Sequence, residues 1–93
     1  MIVSIRHKGL KLLWQKGDVS RLPAQYVQRI RLILALLNAV ERPDEINIPF
    51  GNVHPLKGDL QGYLSISVSR NWRLIFQVDE AGNVHDVDLI DYH

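Results

Sequence analysis

The sequence predicts an α+β fold: a small antiparallel β-sheet with two N-terminal helices packed on one face, in the order β-α-α-β-β-β. Three observations predict it. Apolar residues recur at helical spacing through residues 7–16 and again from Val27 to Val40. Period-two alternation takes over from Tyr63 to Ile90. Short turns, Arg70-Asn71 and Ala81-Gly82-Asn83, separate the last three apolar runs and fit antiparallel hairpins. At 93 residues, a single domain spanning residues 1–93 is expected, large enough for one modest core.

The elements follow in order. Ile2 to Arg6 alternates, with Val3 and Ile5 on one side, which predicts a short first strand. Leu10, Leu13 and Trp14 then follow i, i+3, i+4 spacing, with lysines opposite and Gly17 as a stop. Pro23 suits the first turn of a second helix. Its apolar face comprises Val27, Ile30, Ile33, Leu34, Leu37 and Val40. From 41 to 62, Pro43, Pro49, Gly51, Asn52, Pro55, Gly58 and Gly62 leave room for no more than a turn of helix. Ile46, Ile48, Phe50 and Leu56 are the expected anchors of this long connection, and a connection of that length is often functional.

Three strands close the chain. Leu64, Ile66 and Val68 alternate with Ser65 and Ser67; Trp72, Leu74, Phe76 and Val78 alternate with Arg73, Ile75 and Gln77. Val87 and Leu89 oppose Asp86 and Asp88 in the last run. With Trp72, Leu74 and Phe76 facing the helices, Arg73 and Gln77 face away beside Tyr63, Ser65 and Ser67. That makes a polar floor on which a chain could lie, although antiparallel sheets commonly have one wet face.

Composition narrows the chemistry. There is no cysteine, so disulfides and thiolate metal sites are excluded and a reducing cytoplasm is the expected location. No apolar run reaches the roughly 18 residues that cross a bilayer, so no membrane partner is expected. The net charge is only +1, which argues against generic charge-driven nucleic-acid binding. Yet the first 42 residues carry eight Arg and Lys against Asp18 and Glu41, and acids dominate the final stretch. The histidines at 7, 54, 85 and 93 lack metal-ligand spacing, so neither metal nor cofactor is expected.

Proton-transfer groups concentrate at Asp91-Tyr92-His93, directly after the last strand. His54 and Lys57 sit in the Pro- and Gly-rich connection, and Arg73 on the open face. Two imidazoles, a lysine, an arginine, a tyrosine and an aspartate suit cleavage of an RNA phosphodiester by its own 2′-hydroxyl. That reaction needs a base, an acid and cations for the phosphorane. Walker, G-x-S-x-G and H-E-x-x-H patterns are missing. Counting by twos from Val87 puts Asp91 and His93 on the core side and Tyr92 with Arg73. Either a bulge re-aims the strand end or its tip outruns the helices and is wet on both sides.

The stretches His54-Pro55-Leu56-Lys57-Gly58-Asp59, Gly62-Tyr63, Asn71-Trp72-Arg73 and Asp91-Tyr92-His93 resemble HigB-type toxins of type II toxin–antitoxin modules, within the RelE/ParE-like superfamily. The resemblance runs the whole length, from the first strand and His7-Lys8-Gly9-Leu10 onwards. It implies a ribosome-dependent endoribonuclease that cuts mRNA in the 30S A site without metal, silenced by a HigA-like helix-turn-helix antitoxin. It implies His54, Lys57, Arg73, Asp91, Tyr92 and His93 as active-site positions, with Arg70 and Tyr63 as RNA contacts. Two departures stand out. Leu64 replaces a frequent aromatic, and Arg70 lies one place after a basic residue that relatives can carry. The competing reading within the superfamily is a ParE-like toxin that binds and inhibits a protein target; a bare RNA-binding protein is a third.

Overall fold

A computed structural model describes residues 1–43 and 53–91 of the chain. Helix α1 runs Lys8–Lys16 and helix α2 Val27–Ala39. Strands β1 (Val53–Pro55), β2 (Leu64–Ser67), β3 (Trp72–Val78) and β4 (Val84–Asp91) form one antiparallel sheet in the order β1-β2-β3-β4. The expected succession is present, with one strand more. Val53–Pro55, read from the sequence as irregular, pairs with β2, Val53 opposite Ile66 and Pro55 opposite Leu64.

Both ends of α1 are capped as its sequence requires. His7 Nδ1 accepts from the Leu10 amide at 3.2 Å, meeting one of the helix's orphan donors. Gly17, at φ 70°, returns its amide to the Leu13 carbonyl. Pro23 leads not into α2 itself but into a short 3-10 turn, Ala24–Tyr26, on which α2 continues. One face of α2 buries Ile30, Ile33, Leu34 and Leu37 against Leu10, Leu13 and the inner sheet face of Ile66, Leu74, Phe76, Val84, Val87 and Leu89. Each such side chain contributes about 1.5–3 kcal/mol by leaving water. Arg29 ties α2 to the sheet, donating from Nε and Nη2 to the Ser67 carbonyl at 3.3 and 3.2 Å.

The first strand differs from its expected geometry. Residues 1–6 lie parallel to β4 through two separate bridges, Ile2 to Val84 and Ile5 to Val87, on the edge that β3 leaves open. Between the bridges, the Ser4 hydroxyl takes the Asp86 amide at 2.8 Å. Asp86 there adopts φ 54°, beside the register shift that β3 shows between Ile75 and Gln77. The extra residue rotates the strand, so Val84 and Val87 both point inward, as do Ile2 and Ile5 on the partner. Simple alternation therefore misassigns Val3, which is 51% exposed. Trp14 also departs from its helical spacing: it is 38% exposed rather than in the core.

The β3–β4 turn is held by Asp79, whose Oδ1 accepts the Ala81 and Asn83 amides at 3.0 and 2.9 Å. Its Oδ2 meets His85 Nε2 at 2.7 Å. Chiefly through the His85 hydrogen bond, then that of Asn83, the Asp79 carboxyl titrates below the ordinary carboxylate value. A lowered folded pKa adds stability above about pH 3.9, the unfolded value, and loses it as pH falls through the folded value. The Asp79→Asn variant should therefore melt lower than wild type at neutral pH. The gap should close as the pH is taken below the ordinary carboxylate range, as read by thermal denaturation across a pH series. At the same turn Gly82 has φ 84° and lies so close to Glu41 that a Cβ would fall 2.4 Å from its carbonyl oxygen.

Candidate active site

The sheet face turned away from the helices is ordered by strand register. One row runs His54, Ser65, Ile75 and Asp88 across β1 to β4; another runs Ser67, Arg73 and Ile90. His54 and Arg73 therefore share this face, with Cα atoms about 12 Å apart from ordinary strand spacings. An imidazole and a guanidinium reaching inward from those positions can bracket a group lying over Ser65 and Ser67. His54 is exposed and Arg73 half-buried, its Nε shielded from solvent.

The floor is less wet than a serine-lined face implies. Ser65 is 3% and Ile75 2% exposed. Tyr63 is itself buried, and its phenol oxygen accepts from Arg6 Nη1 at 3.2 Å. Because Arg6 is bonded to β4 through the Val87 carbonyl while Tyr63 leads into β2, this pair spans β3 and β4. The Arg6 guanidinium is held more firmly charged than usual, first by the Tyr63 hydrogen bond and then by Tyr63, Asp88 and Asp86. Sequence reasoning passed over Arg6. Its signal is slight: it directly follows the inward-facing Ile5, and its partner is 57 positions away.

The remaining expected residues occupy different places. The Leu56 amide bonds the Tyr63 carbonyl at 2.9 Å, closing a hairpin around the 3-10 turn Gly58–Leu60. Lys57 opens that turn, exposed at the β1–β2 hairpin end, beyond His54. Arg70 is exposed in the β2–β3 turn, where the Ser69 hydroxyl takes the Trp72 amide. Asp91 pairs with Trp72, so alternation sets it on the Trp72 side of the sheet, opposite Arg73, and it is exposed. Register from Asp88 to Asp91 is regular. The bulge therefore lies at Asp86, and Asp91 belongs to a strand tip that outruns the core. Tyr92 and His93, like Ile46, Ile48 and Phe50, lie outside the described residues. The geometry thus brings His54 and Arg73 to one face, with Lys57 at the β1–β2 hairpin end and Asp91 at the other end of the sheet on the opposite face. Among the described residues, no three histidine or acidic side chains gather as a metal-ligand set.

Residues 3–93 match the model of the family of RelE-like HigB toxins of type II toxin–antitoxin systems. The chain is 45% identical over 93 residues to Endoribonuclease HigB of Proteus vulgaris, covering all of both proteins. Among solved structures it resembles a YoeB/ParE toxin from Agrobacterium tumefaciens, with TM-score 0.64 and 22% identity over 100% of this chain and 99% of that one. It also resembles the toxin fold in a YoeB–YefM complex from Staphylococcus aureus, with TM-score 0.62 and 18% identity over 100% and 98% of the two chains. Identities this low speak for the fold, an α+β sheet with two helices, while the family rests on the full-length matches. The chain belongs to the HigB-like toxins, the RelE-like toxins of type II toxin–antitoxin systems.

Proposed function

We propose that this toxin is an endoribonuclease that cuts mRNA in the 30S A site of translating ribosomes by a metal-independent attack of the RNA's own 2′-hydroxyl. The observation that carries this reading is the end-to-end likeness to a protein named as an endoribonuclease. The open face bearing His54 and Arg73 supplies a place for the phosphodiester. A base takes the 2′-hydroxyl proton and the 2′-oxygen attacks phosphorus. An acid protonates the departing 5′-oxygen, leaving a 2′,3′-cyclic phosphate. His54 and His93 are the proton-transfer groups, and Asp91 holds an imidazole or assists the base. Arg73 and Lys57 stabilise charge on the phosphorane. Tyr92 orients or stacks a base, with Arg70 and Tyr63 as further RNA contacts. The toxin acts in the cytoplasm, and a HigA-like helix-turn-helix antitoxin silences it.

Primer extension on a message translated in a reconstituted system tests this directly. Wild-type toxin should produce discrete cuts within the translated frame and none on the same message without ribosomes. His93→Ala should slow cutting by about 10²–10⁴-fold, the usual worth of a general acid or base. A message left intact on translating ribosomes would sink the nuclease reading and favour a toxin that docks on a protein target.

A further inference from the structure

Arg6 reaches onto the open face from outside the antiparallel sheet. Its amide bonds the Val87 carbonyl at 2.7 Å, and the bridge of Ile5 to Val87 sets Arg6 beside Asp88. Ile5 and Val87 pack on the core, so alternation sends Arg6 and Asp88 to the open side. Arg6 thus extends the row of His54, Ser65, Ile75 and Asp88 by one position. An exposed arginine at a sheet edge ordinarily turns into solvent. Here Nη1 donates to the buried Tyr63 phenol at 3.2 Å, which carries the guanidinium back across β4 and β3 and fixes it over the face. The floor beneath, Ser65 and Ile75, is almost wholly covered, whereas Arg6 itself is exposed. A chain laid on this half of the face meets the guanidinium before it meets the floor. Arg73 stands in the next row, two residues before Ile75 on β3, which is about 7 Å of strand. That is close to the step between successive phosphates of an extended RNA strand.

We propose that Arg6 binds the mRNA strand at the phosphate next to the one that is cut, with Tyr63 as the positioning residue that fixes its guanidinium. The inference rests on the endoribonuclease reading and deepens it by dividing the phosphates: Arg73 serves the reacting one and Arg6 its neighbour. A guanidinium carries five N–H donors in a planar fork, so the bond to Tyr63 leaves donors to spare for a phosphate. Holding the fork in place beforehand lowers the cost of ordering it when RNA binds. Arg6 also offsets the charge of Asp88 beside it, so that this row does not repel a polyanion. Tyr63 then contributes to the RNA contact mainly through the guanidinium it holds. A bond that only stapled residues 1–6 to the sheet would change stability, not affinity for one particular phosphate.

The test uses synthetic messages on ribosomes, natural or carrying one uncharged methylphosphonate at the phosphate before or after the cut. Cutting is followed at rising concentrations of full-length wild type, Arg6→Ala and Tyr63→Phe, at a temperature where circular dichroism shows each to be folded. On the natural message Arg6→Ala should need about tenfold more toxin for half-maximal cutting, the usual worth of a hydrogen bond to a charged group. Its rate at saturation should stay close to that of wild type, unlike a variant that loses the chemical step. Wild type should lose affinity to a similar extent on one of the two modified messages, and Arg6→Ala should lose almost nothing further there, because the two changes remove the same contact. Tyr63→Phe should fall between, with a reduced response to that same modified message. Losses that multiply, rather than overlap, place Arg6 against ribosomal RNA and overturn the inference. Wild-type affinity in Arg6→Ala also overturns it, and wild-type behaviour of Tyr63→Phe overturns the positioning role. All three results leave the nuclease reading standing. Wild-type toxin that cuts no message overturns both.

Discussion

Replacing Arg73 with alanine is expected to slow message cleavage by about 10²–10³-fold, the usual loss when one donor to a developing oxyanion is removed. Arg73 stands on the open face between Ser67 and Ile90, on a strand whose neighbouring residues Leu74 and Phe76 are fully buried. Its backbone is therefore fixed by the core, and the side chain is presented from a rigid element. Truncation removes charge and the planar fork without removing core volume. The effect should fall on the chemical step, read as a single-turnover rate at saturating ribosome complexes. Arg73→Lys keeps the charge but not the paired donors, and its rate should lie between the two. A rate for Arg73→Ala within threefold of wild type would exclude Arg73 from phosphate stabilisation.

What could be read from the chain divides along physical lines. Where one short-range rule settles the geometry, sequence and structure agree. The apolar positions of α2, the Gly17 stop and the two hairpins of β2, β3 and β4 are decided within a few residues. Where a contact between distant segments decides, they diverge. Strand β1 is only three residues in a Pro-rich stretch and exists because β2 supplies its partner groups. Ile2 and Ile5 share a face three residues apart because Ser4 and Asp86, 82 positions away, lock an irregularity between two bridges. Counting by twos through β4 fails at that same residue, so Val84 and Val87 both face inward. The active-site face behaves similarly. Alternation along β2 and β3 places Arg73 with the serines, and pairing of β1 adds His54. The Arg6–Tyr63 contact that roofs part of that face has no local signature at all.

The second large effect concerns the support beneath this face. Phe76 is fully buried on β3, opposite Leu64, among α2 and β4 side chains. Phe76→Ala removes a ring from a close-packed layer and should cost about 3–5 kcal/mol, since the transfer loss and the residual cavity add. Domains of this size have roughly 5–15 kcal/mol in all, so about a fifth of the stability or more would go. Urea denaturation should show a midpoint shifted down with little change in slope, as a change in native stability requires. Cleavage should fall only as the folded fraction falls, and recover at a lower temperature that restores the fold. Arg73→Ala should behave in the opposite way, keeping its midpoint while losing its rate. The two variants sit on the same strand, three positions apart on β3, with side chains on opposite faces. If both lost rate and stability together, the open face and the core could not be energetically separate, and the assignment of Arg73 to chemistry would fail with them.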